Sequence, residues 1–196
     1  MGQFTMRILD RQYVANTDIT NALATVADAT AANLPGATLA VQDLSGNMVT
    51  FRYVQLAASG LATITAVTPV YFTDQTCGVV TNTPANAFTH VASTDSAVES
   101  AAGFLLNANM TAGQYGFIQT GGYNPNITSP ASVVKGDRLV LSNAAGTAPT
   151  ANLLVRVAGG TAPATPEAMA QMYVVATGSV ASGVAAGIIK GFCAQV

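Results

Sequence analysis

The chain has 196 residues, half of them apolar, but only 8% are Asp, Glu, Lys or Arg, against about 25% in an ordinary soluble domain. That length buries a sizeable core without a metal or disulfide. The seven basic residues are dispersed and the formal net charge is −2. A basic patch able to neutralise phosphates is therefore missing, and nucleic acid is not an expected partner.

Residues 1–33 differ from the rest. The opening MGQFTMRILDRQ lacks the apolar core of a secretion signal, so no secretory signal is expected. Phe4 to Val14 reads as an extended arm carrying Phe4, Ile8 and Tyr13, apolar side chains suited to docking on a neighbouring subunit. Asp18 to Ala32 predicts a short helix, with Ile19, Leu23, Val26 and Ala27 at helical spacing, and Leu34-Pro35-Gly36 stops it.

From residue 34 to 196 the pattern is that of a β-rich domain. Strands are predicted over Thr38–Gln42 and Met48–Leu56, the latter alternating regularly. Others follow in Leu61–Phe72, Cys77–Thr81, Gly103–Asn107, Gln114–Thr120, Arg138–Leu141 and Leu153–Val157, with the last one or two inside Val174–Val196. Short strands separated by turns every 8–12 residues or so predict a mainly β sandwich or barrel-like fold. Pro166 to Met172 predicts a second short helix. Tyr173–Ile189 carries no charge, but it is short for a span and diluted by glycine and serine, so no membrane segment is expected.

Chemistry-bearing patterns are sparse. His90 is the only histidine, Cys77 and Cys193 are far apart in sequence, and the carboxylates are scattered. Phosphate-cradling glycine motifs, nucleophile elbows and metal-ligand clusters are missing, so neither enzyme activity nor a cofactor is expected. Lys135-Gly136-Asp137 has the composition of a tight turn as well as of an integrin-recognition tripeptide.

The most unusual stretch is Gln114-Tyr115-Gly116-Phe117-Ile118-Gln119-Thr120-Gly121-Gly122, in which a glycine separates two aromatics. Such a strand fits either a core position or a contact with another subunit. Together with Ala102–Leu106, Met110–Gly113, Val134–Leu139 and Phe51–Val54, it resembles the head-decoration (cement) proteins of tailed phages. The resemblance covers about residues 35–157. Residues 1–33, the segment 159–172 and Phe117, where the family more often has Trp, depart from it.

The resemblance implies a non-enzymatic virion protein on the capsid surface. It implies a homo-oligomer, most often a trimer, that binds the major capsid protein and stabilises the shell. Tyr115, Phe117 and Tyr123 join Phe4, Ile8 and Tyr13 as candidate subunit-contact residues. Two alternatives stay open. One is a host-receptor or glycan-binding module using the same clustered aromatics, and the other is a minor capsid or head-fibre component.

Overall fold

The computed structural model describes residues 23–42, 47–58, 67–83, 101–141, 154–157 and 173–190. These residues form ten strands: β1 (Thr38–Gln42), β2 (Met48–Leu56), β3 (Pro69–Phe72), β4 (Val79–Thr81), β5 (Ala101–Leu105), β6 (Tyr115–Thr128), β7 (Arg138–Leu141), β8 (Leu154–Val157), β9 (Tyr173–Ala176) and β10 (Val184–Lys190). The fold is mainly β, as the alternation predicts.

Five strands close on themselves. β2 pairs with β4, β4 with β3, β3 with β5, β5 with β6, and β6 returns to β2. All of these pairings are antiparallel except β2–β4. The interior is filled by one side chain or more from each strand: Val54 and Leu56, Val70 and Phe72, Val80, Ala102 and Leu105, and Ile118. Arg52 belongs to the same face of β2 and is buried, its guanidinium carbon 5.3 Å from the Phe72 ring centroid. A cation over an aromatic face retains part of the stabilisation that water would supply.

β1 pairs antiparallel with β2 at the edge of this sheet, and β7 to β10 form a second sheet with β6 in the order β6-β10-β9-β7-β8. β6 is common to both sheets. Its first half pairs with β2 and β5, and its second half, from Gly122, pairs with β10. The second sheet packs its inner face against the outside of β3 and β5. There Tyr71 and Phe104 meet Ile127, Val133, Leu139, Val174 and Ile189. A strand that changes sheets through a bend is a standard way to turn a sandwich corner.

β2 is apolar on both faces. Val49, Phe51 and Tyr53 point away from the barrel interior and pack with Phe117 and Leu106 beneath Leu23. This explains a correction to the N-terminal reading. Of the predicted Asp18–Ala32 helix, the described part is helical only at Leu23; residues 24–32 are turns, bends and a bridge. Asp28 and Tyr115 exchange backbone N–H···O bonds of 2.8 Å, and Asn107 Nδ2 donates to the Val26 carbonyl at 3.1 Å. These tertiary bonds replace the helical ones in a stretch whose Thr25, Asp28 and Thr30 are weak helix formers. Residues 23–33 are thus sewn onto the β domain, whereas the sequence places a boundary at 33. The arm and the predicted helix Pro166–Met172 lie outside the described residues.

Tyr173–Ala176 and Val184–Lys190 pair antiparallel as β9 and β10. Among the described residues no helix is long and apolar enough to cross a membrane.

Candidate interaction surface

The unusual Tyr-Gly-Phe stretch opens β6, and the structure separates its three candidate aromatics. Phe117 is 1% exposed, with its ring 5.0 Å from that of Tyr53. It is a core residue and contributes nothing to the surface of the described chain. Tyr115 is half-buried and stacks on Tyr53 at 6.0 Å. Tyr123 is 37% exposed. Phe117 belongs with Phe51 and Tyr53 because its register partner in β2 is Tyr53, whose ring points the same way. Phe4, Ile8 and Tyr13 lie outside the described residues, as do His90 and Cys193.

The bend in β6 places Tyr123. At Gly121 and Gly122 the strand leaves β2, after a bulge that inserts Thr120 between the partners of Thr50 and Phe51. Gly122 has φ +92°, and a Cβ there would come 2.5 Å from the Met48 carbonyl oxygen and 2.8 Å from Val49 Cα. Only glycine fits so close a backbone approach in that conformation. A buried amide pair braces the bend. Gln119 Nε2 donates to the carbonyls of Gly121 (3.1 Å) and Tyr123 (3.0 Å), and Asn124 Nδ2 donates to Gln119 Oε1 at 2.7 Å. Asn124 Oδ1 in turn accepts from the Asn126 amide at 2.8 Å. The outcome is a fixed corner: Tyr123 follows Gly122 directly, and Met48, whose carbonyl Gly122 approaches, has a 59%-exposed side chain.

Sequence reasoning missed Met48, the second large apolar side chain at this corner. It treated Met48 only as one member of an alternating face. Its position at the first residue of β2, beyond the closed barrel, is what leaves it uncovered.

Other candidate chemistry resolves into structure. Asp137 of Lys135-Gly136-Asp137 is buried, its carboxylate accepting from the Val134 amide at 2.9 Å while Gly136 takes φ +93°. The tripeptide is a turn whose acid points inward and is not presented for recognition. Cys77 is half-buried at the margin of the barrel core. Among the described residues no three His, Cys, Asp or Glu side chains are grouped as metal ligands.

What the geometry defines is a β-rich domain with a closed five-stranded barrel, a companion sheet and a braced corner at which Met48 and Tyr123 are exposed. No protein family, curated protein or solved structure matches the chain.

Proposed function

We propose that this chain is a capsid decoration protein of a tailed phage, a non-enzymatic virion component that self-associates and binds the outside of a shell of major capsid protein. The observation that carries the reading is the exposure of Met48 and Tyr123, both at the braced β6 corner, on a chain where charge is scarce. Contact cores between proteins are depleted in charge and enriched in Met and aromatic residues. A corner held by buried amides and a glycine contact is already ordered before binding, which lowers the entropic cost of association. The pattern of turns and apolar positions described above supports the phage assignment.

The glycan- or receptor-binding alternative calls for a platform of clustered exposed aromatics. Burial of Phe117 and stacking of Tyr115 on Tyr53 leave Tyr123 alone of the three, which weighs against it.

The test is co-sedimentation of the purified chain with assembled shells that lack it and, separately, with dissociated capsid subunits. Saturable pelleting with shells, retained at raised salt, is expected, because a contact poor in charge is little screened. Failure to pellet with any shell at saturating concentration would remove the proposal.

A further inference from the structure

β1 ends the sheet. It pairs with β2 on one side, and no described strand lies on the other. The Ala37 carbonyl accepts from the Tyr53 amide at 2.9 Å, so alternation turns the backbone groups of Leu39 and Val41 toward β2 and those of Thr38 and Ala40 outward. Natural sheets guard such an edge with lysine, proline, a bulge or an inward-pointing charge. The sequence of β1, Thr-Leu-Ala-Val-Gln, has none of these, and its register with β2 runs without a break. Its side chains are divided as well. Thr38, Ala40 and Gln42 are exposed, whereas Leu39 and Val41 are half-buried against the cluster of Phe51, Tyr53 and Leu23.

We infer that β1 is a self-pairing edge, through which two copies of this chain join antiparallel about a two-fold axis at Ala40. An antiparallel ladder is itself two-fold symmetric, so the same edge on a second copy complements it without further adaptation. Centred on Ala40, the pairing sets Leu39 of one copy opposite Val41 of the other. The half-buried aliphatic side of β1 is then covered, and the Phe51–Tyr53 cluster continues across the axis. The outward N–H and C=O of the two Ala40 residues bond each other. The contact contains no ionisable side chain, so it is insensitive to salt. It stands on the strand edge alone and does not rest on the capsid assignment.

The experiment is sedimentation equilibrium of the full chain over a wide concentration range, for the wild type, Ala40→Gln and Ala40→Glu. Residue 40 is exposed, so all three fold, which circular dichroism checks. In Ala40→Glu two carboxylates face each other at the axis. Self-association is expected to weaken roughly fivefold relative to Ala40→Gln, since like charges directly opposite across strands repel. Added salt recovers part of that loss. Mixing Ala40→Glu with Ala40→Lys restores association as a heterodimer. Wild-type protein that stays monomeric at every concentration overturns the inference. So does an assembly that Ala40→Glu leaves as tight as Ala40→Gln, which would assign the edge to a strand of some other protein or to nothing.

Discussion

The phenol of Tyr53 donates a 2.8 Å hydrogen bond to Oδ2 of Asp28, 25 residues earlier in the chain, while its oxygen accepts from the Ala32 amide at 3.1 Å. One side chain of β2 thereby fixes the segment that precedes the β domain. Tyr53→Phe is expected to cost about 1.5 kcal/mol, the scale of a hydrogen bond to a charged group. Asp28→Ala should cost a similar amount, and the double variant less than the sum. Urea midpoints of the four proteins give the coupling; strict additivity would show that the bond contributes nothing.

Tyr71 supplies a pH dependence. Its hydroxyl is buried without a hydrogen-bond partner, and desolvation pushes its pKa well above the ordinary tyrosine value. Tyr53 is shifted in the same direction, by burial first. The folded state thus holds protons that the unfolded chain releases near pH 10, so this contribution is complete below that pH and is lost as pH rises beyond it. Denaturation midpoints should fall between about pH 9 and 11.5. Tyr71→Phe should flatten the fall without lowering stability at neutral pH, since the lost hydroxyl has no partner to abandon. A steeper fall in the variant would contradict this.

Two glycines with nearly equal φ should respond differently to alanine. At Gly136 nothing lies within 4 Å of an added Cβ, so only the left-handed backbone is penalised, by about 1 kcal/mol. At Gly122 the added atom also meets the Met48 carbonyl, and the cost should reach about 3 kcal/mol or more. Thermal unfolding of Gly136→Ala and Gly122→Ala settles the order. Equal losses would show that the corner yields freely.

Much of the strand pattern is legible in the sequence, and the exceptions have physical reasons. Met48–Leu56 is read to its ends because β-branched and aromatic residues alternate without interruption. β6 is predicted to stop near Thr120, yet it runs to Thr128. Gly121-Gly122 and Pro125 look like a turn locally. What keeps the strand going is pairing with β10, some 60 residues later in the chain, together with the Gln119–Asn124 bonds. Over residues 24–32 the predicted helix gives way for a similar reason, as Asp28 pairs with Tyr115. The contact candidates were only partly legible. Tyr115, Phe117 and Tyr123 have similar chemistry, and their burial differs through register with β2 and the bend, neither of which local pattern specifies.

That distinction can be tested directly. Phe117→Asp buries a charge in a packed cluster and should unfold the domain, with loss of its β circular dichroism spectrum. Tyr123→Asp, at an exposed position, should leave the spectrum unchanged and abolish binding to the shell. A folded Phe117→Asp protein, or a Tyr123→Asp protein that binds shells normally, would break the link between this corner and function.

On the proposed reading, the chain stabilises a capsid by binding the assembled shell in preference to its separated subunits. Such binding shifts the assembly equilibrium by mass action, and many copies around one shell act together. The most direct measurement is the temperature and osmotic stress at which particles release their genome, taken for intact particles, particles stripped of this protein, and stripped particles after add-back. Stripped particles should release it at a lower temperature and a milder shock, with recovery on adding wild-type protein but not Tyr123→Asp. Identical tolerance in all three preparations would contradict the account.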